Sequence, residues 1–118
     1  MNIAKTIAKQ KSIKTYGWKE RDYQLHLANI LGGNLEVRTP IGRIDIINND
    51  LLIEVKFAGT HSNKMAIGQA LCYTYFYPGY KPCIALIGEP ENAIVAQVCR
   101  EYGIVYLFFW NGIWQLSP

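Results

Sequence analysis

The sequence predicts a mixed α/β domain, with a part-antiparallel, part-parallel sheet flanked by helices. Three observations carry this. Apolar residues recur at helical spacing from about Trp18 to Leu31 and stop at Gly32-Gly33, a common C-terminal helix signal. Three strand-like runs then follow between residues 35 and 57, parted by Thr39-Pro40-Ile41-Gly42 and by Asn48-Asn49-Asp50, both of them turn sequences. Two unbroken apolar runs, residues 82–87 and 104–110, alternate with helical patterns, as strands buried on both faces do.

In chain order, Ile3 and Ile7 lie one turn apart among lysines, so residues 2–11 form a short amphipathic helix that Tyr16-Gly17 ends. The next helix turns Tyr23, Leu27, Ile30 and Leu31 inward, with Glu20 and Gln24 continuing that stripe. Glu20 is therefore aimed at whatever the helix packs on; the macrodipole alone also explains an acid at that end. Residues 35–38 alternate as a strand, and a hairpin over residues 42–57 follows. Residues 58–63 read as a loop with Ser62 or Asn63 as N-cap of a helix over residues 64–75, whose packing side is Ala66, Ile67, Ala70, Leu71 and Thr74. Pro78-Gly79 ends it. A further helix over residues 90–102 has Pro90 in its first turn and Gly103 past its end, and Asn111-Gly112 turns the last two strands into a hairpin. The order helix, three strands, helix, strand, helix, two strands gives a mixed sheet with right-handed crossovers in its second half.

With 118 residues, half of them hydrophobic, the chain reads as one domain over residues 1–118 with a sizeable core. No apolar run reaches the length of a bilayer span, and the lysine-rich N-terminus lacks a secretory signal's apolar core. Cys72, Cys83 and Cys99 are odd in number and lack metal-ligand spacing, so they read as free core thiols in a reducing, intracellular compartment. The net charge is only +3, but five lysines precede the first acid, Glu20, a basic edge suited to a polyanion or simply to solvent. The chain has no Gly-rich phosphate loop, so no organic cofactor is expected.

The hairpin holds the chemistry. If Asn49 and Asp50 form a two-residue type I′ bend, Ile47 faces Leu52, Ile46 faces Ile53 and Asp45 faces Glu54. Arg43, Asp45, Glu54 and Lys56 then share one face, and Ile44, Ile46, Ile53, Val55 and Phe57 the other. Opposed carboxylates destabilise a sheet. Either Arg43 and Lys56 neutralise them in a solvated ion-pair cluster, or a hard divalent cation sits between them. The flanking elements favour the cation.

Glu20 on a helix, Gly42-Arg-Ile-Asp45, Ile53-Glu-Val-Lys56 and Gln69 on the following helix together resemble the PD-(D/E)XK nuclease superfamily, over roughly residues 20–87. Ile44 stands where the motif's proline would be. The resemblance implies a restriction-endonuclease-like αβββαβ core, here with an extra C-terminal helix and hairpin. It also implies a Mg²⁺ site (Mn²⁺ substituting) on Asp45 and Glu54, with the Val55 carbonyl and Glu20 as added ligands. Lys56 would position the attacking water, and Gln69 would contact that water, Lys56 or a phosphate. The implied activity is metal-dependent DNA endonuclease cleavage of phosphodiester bonds, structure-selective for Holliday or other branched junctions. A sequence-specific homing or restriction enzyme, and a non-catalytic DNA-binding module of the same fold, are the alternatives.

For either reading the expected partner is double-stranded or branched DNA. Arg43 is the candidate phosphate clamp. Lys14, Arg21, Arg38, His61 and Lys64, with Lys5, Lys9, Lys11 and Asn63, are candidates for backbone contacts. A small domain cutting both strands works most simply as a homodimer. The aromatics over residues 73–80 or the terminal hairpin would supply the interface, though Phe108 and Trp110 read better as core. The expected location is cytoplasmic and DNA-associated.

Overall fold

A computed structural model describes residues 2–48 and 50–118. Its elements are α1 (Ile3–Ala8), α2 (Glu20–Leu31), β1 (Asn34–Thr39), β2 (Gly42–Ile47), β3 (Leu51–Phe57), α3 (Thr60–Phe76), β4 (Lys81–Ile87), α4 (Ala93–Tyr102), β5 (Val105–Trp110) and β6 (Ile113–Leu116). This is the expected mixed α/β order, with the αβββαβ succession running from α2 to β4. The six strands form one sheet in chain order, β1-β2-β3-β4-β5-β6. The β1–β2, β2–β3 and β5–β6 pairs are antiparallel; β3–β4 and β4–β5 are parallel.

Apolar residues fill both faces. On one, α2 lays Tyr23, Leu27, Ala28 and Leu31 over Ile46, Ile53, Val55, Ala85, Leu107 and Trp114. On the other, α3 and α4 cover Ile84, Leu86, Tyr106 and Phe108 with Ala66, Ala70, Val95, Ala96 and Cys99. Small residues on α3 let it approach β3 and β4 closely. The β6 edge is covered by the chain itself. The Gln10 side chain donates to the Trp114 carbonyl (2.7 Å) and accepts from the Trp114 N–H (2.8 Å), and the Ile13 N–H donates to Gly112. Gln10 thereby satisfies an edge that would otherwise template pairing.

Local chemistry sets the element ends. Asn92 caps α4 by accepting from the Ile94 and Val95 N–H groups, so that helix starts three residues after Pro90, and Gly103 closes it in the left-handed region. The α3 helix begins at Thr60, not residue 64. Asn63 is not its N-cap but lies inside the first turn. Its side chain accepts from the Gly59 N–H (3.2 Å) while its own N–H donates to the Gly59 carbonyl. Two other expectations change. Cys72 is exposed rather than in the core, and Trp110 is also exposed while Phe108 is buried. Among the described residues no helix is long and apolar enough to cross a membrane.

Candidate functional site

The hairpin register is the expected one: Ile46 pairs with Ile53 and Ile47 with Leu52. The Asn48 N–H reaches the Leu51 carbonyl at 3.1 Å; Asn49, half of the expected bend, lies outside the described residues. The backbone ladder stops after Ile46 and Ile53, where Asp45 and Glu54 come next. The two strands diverge and the carboxylates take over the vacated bonding positions. The Asp45 N–H donates to Glu54 Oε2 (3.1 Å), and the Val55 N–H donates to Asp45 Oδ2 (2.8 Å). Each acid thus satisfies a backbone donor that divergence would orphan.

The divergence turns part of β2 over. Ile44 was expected on one face with Ile46; Ile46 packs under α2, but Ile44 packs on Leu52 and on Tyr73 of α3. Across the β1–β2 pair from Asp45 stands Glu36, a non-glycine residue at φ 51°, so the edge strand β1 is irregular at the level where β2 leaves β3.

The acid pair is buried among charges. Glu54 is 2 % exposed. Burial first, then the Asp45 charge, pushes its carboxyl up to about 8, against the pull of the Asp45 N–H and Lys56. Asp45 is raised too, chiefly by burial, while the Val55 N–H, Lys56 and Arg43 pull it down and Glu20 pushes it up. Lys56 and Glu20 thus act on both acids, and Arg43 acts on Asp45. Val55 contributes its N–H to Asp45. Gln69 lies one turn before Tyr73 on α3, its Oε1 buried without a hydrogen-bond partner, as is Oε1 of Gln24 on α2.

A second cluster adjoins the first. Arg21 hydrogen-bonds Glu36. That bond, with Arg43 and Arg38 nearby, holds the Glu36 carboxyl below its usual range. Arg38 and Arg43 are cross-strand partners, both exposed. Four basic side chains, Arg21, Arg38, Arg43 and Lys56, thus surround the diverging strands. The level is that of Glu54 to Lys56, toward the carboxyl end of β3, where open α/β sheets bind their ligands. His61 and Lys64 are exposed on the first turns of α3, which starts three residues after β3 ends; His61 was expected in a loop. Lys5 and Lys9 lie elsewhere: α1 packs on α2 and β6, at the sheet edge opposite β1. Lys14 is exposed just after the segment bonded to the β5–β6 turn.

Sequence reasoning missed Glu36 as the hub of the arginines and the hydroxyl of Tyr73. That hydroxyl donates to the Arg43 carbonyl at 3.2 Å. Neither has a local signal, since both partners come from other elements.

Among the described residues no three His, Cys, Asp or Glu side chains form a group able to hold a metal ion. Buried Glu54 and half-buried Asp45 each give one oxygen to a backbone N–H.

The fold and site define an α/β domain with a basic face built round an embedded acid pair. The chain is similar to three proteins of Acanthamoeba polyphaga mimivirus named as KilA-N domain-containing. They are 36% identical over 88 residues, 37% over 93 and 34% over 89, covering 73%, 75% and 74% of this chain. The matches span 35%, 24% and 24% of those relatives, so the chain spans about a third of their length or less. No family model and no solved structure matches it. These relatives correct the superfamily expectation. They are named for a KilA-N domain and not for a PD-(D/E)XK nuclease. The Mg²⁺-dependent endonuclease activity and the junction-resolving role drawn from that resemblance are withdrawn with it. The motif describes how the hairpin is built, and a fold does not fix a chemistry.

Proposed function

We propose that this domain binds double-stranded DNA through its phosphate backbone, as a binding module that holds the duplex without cutting it. The observation that carries the reading is the gathering of Arg21, Arg38, Arg43 and Lys56 around the bent β1–β2 hairpin. Guanidinium groups engage phosphate oxygens in bidentate fashion, and Arg38 and Arg43 stand side by side across one hairpin. His61 and Lys64 extend the face onto the start of α3, whose N-terminal amides also favour an anion. The acid pair opposes this less than two full charges would, because a Glu54 carboxyl pushed up to about 8 keeps its proton at neutral pH. The relatives are compatible with the same reading, since the KilA-N domain in their names suggests DNA binding for those proteins. The homodimer and the preference for branched DNA draw no support from the fold or the relatives and form no part of the proposal.

The test is fluorescence anisotropy with a short labelled duplex, in EDTA, between about 50 and 200 mM salt. A face using three or four cations gives a log–log salt slope of about −3 to −4, and Arg43→Ala flattens it by about 0.9. Scrambling the duplex sequence or replacing EDTA with Mg²⁺ leaves the affinity within a few-fold. Salt-independent binding, or an Arg43→Ala protein that binds like its parent, refutes the reading.

A further inference from the structure

Beyond Ile46, β2 no longer pairs with β3. Past the two carboxylate–amide bonds at Asp45, the end of the hairpin that carries Arg38 and Arg43 continues as the β1–β2 ladder, with no β3 pairing among the described residues. Such a tip swings as a unit unless something outside it fixes its angle. Tyr73 of α3 reaches it. The ring is 7 % exposed and packs on Ile44 and Leu52, and the hydroxyl donates to the Arg43 carbonyl at 3.2 Å. The neighbouring residue is cut to fit. Gly42 sits at φ +135°, and a Cβ there would overlap the Tyr73 hydroxyl itself, with the ring carbon behind it at an ordinary 3.5 Å. A hydroxyl, a glycine and a carbonyl from two elements 30 residues apart are thus fitted to one another at the base of the arginine pair.

We propose that Tyr73 is a positioning residue for DNA contact. Its hydroxyl latches the hairpin tip to α3 and so fixes the angle at which Arg43, with Arg38 across from it, meets phosphate. The inference rests on the DNA-binding reading and adds to it the residue that sets the geometry of the grip. Tyr73 itself touches no DNA in this scheme. Removing its hydroxyl leaves every cation in place but unlatched.

The experiment is a double-mutant cycle in the anisotropy assay, using Tyr73→Phe, Arg43→Ala and their combination, with circular dichroism to check that each protein is folded. Tyr73→Phe is expected to weaken binding by about 2- to 10-fold, the range one hydrogen bond spans, and to lose at least half of that effect in the Arg43→Ala background. Gly42→Ala, which pushes the hydroxyl away, is expected to weaken binding in the parent and to add less in the Tyr73→Phe background. If Arg43→Ala weakens binding while Tyr73→Phe does not, the latch is wrong and the DNA reading stands. If Tyr73→Phe costs the same with and without Arg43, its role is general packing and the latch is again overturned. If Arg43→Ala costs nothing, the DNA reading falls and takes the latch with it.

Discussion

Glu54 makes the fold's stability depend on pH in an unusual direction. Most carboxylates are more acidic in the folded protein, so stability is lost as pH falls. Glu54 is the reverse. Its carboxyl rises from 4.5 to about 8 on folding because it is buried beside Asp45. Between those values the folded protein holds a proton that the unfolded chain has released. Stability is then fully present below about pH 4.5 and declines as pH climbs through about 8. Midway between those two values each pH step of one removes up to about 1.4 kcal/mol, falling to about half that rate at either value. Across pH 5 to 8 the loss is about 3 kcal/mol, a large share of the 5–15 kcal/mol that holds a typical domain together.

Urea unfolding of the parent and of Glu54→Gln, at half-unit pH steps over that range, isolates the effect. Glutamine keeps an oxygen to accept the Asp45 N–H but cannot ionise. His26, lowered by burial, titrates in the opposite sense, with stability rising toward 6.5. It does so in both proteins, so the difference between the two curves belongs to Glu54 and its coupling to Asp45. The difference is expected to move in favour of Glu54→Gln by about 3 kcal/mol from pH 5 to 8. Parallel curves, or a parent that gains stability relative to the variant as pH rises, would refute the reasoning.

Two further outcomes are expected of the same scaffold. Asp45→Ala leaves the Val55 N–H, now paired at 2.8 Å, as a buried donor with no acceptor; it should cost about 1–3 kcal/mol by urea unfolding. Asp45→Asn, which keeps an acceptor, should cost well under half as much, and equal losses would sink the account of the diverging strands. Gln10→Ala breaks both bonds to Trp114 and should cost about 1–2 kcal/mol. It should also speed hydrogen exchange at the Trp114 amide while leaving Ile53 protected, and unchanged exchange at Trp114 would contradict the covered β6 edge.

Much of this is legible in the sequence, for reasons that can be named. The Ile46–Ile53 and Ile47–Leu52 pairing follows from period-two alternation on both sides of a polar bend. The buried central strands follow from unbroken apolar runs. What stays hidden depends on partners far along the chain. Asn63 has the composition of an N-cap, yet Gly59 precedes it at a distance that lets its side chain reach back inside the helix. Tyr73 reads as one of a crowd of aromatics until its hydroxyl is seen against Arg43. Ile44 belongs by parity with Ile46, and only the loss of the β2–β3 ladder explains why it turns to the other face. The acid–acid–lysine spacing is a sound guide to the geometry of the hairpin and a misleading guide to its family.

The acid pair and the arginines are better understood as one construction than as two. A hairpin whose ladder simply stopped would leave buried N–H groups unsatisfied, a cost of about 1–3 kcal/mol each. Asp45 and Glu54 cover those donors with their own side chains, and the repulsion between them is relieved by the proton that Glu54 keeps. With the donors satisfied, β1 and β2 are free to bend away at Glu36 and Asp45. Around that bend Arg21, Arg38 and Arg43 act on Glu36, and Arg43 and Lys56 act on Asp45. An apolar pair at the same two positions would leave both backbone donors bare, and an unbroken ladder would hold the arginines flat against the sheet edge. Two acids are retained in a basic face because they allow the strands to part.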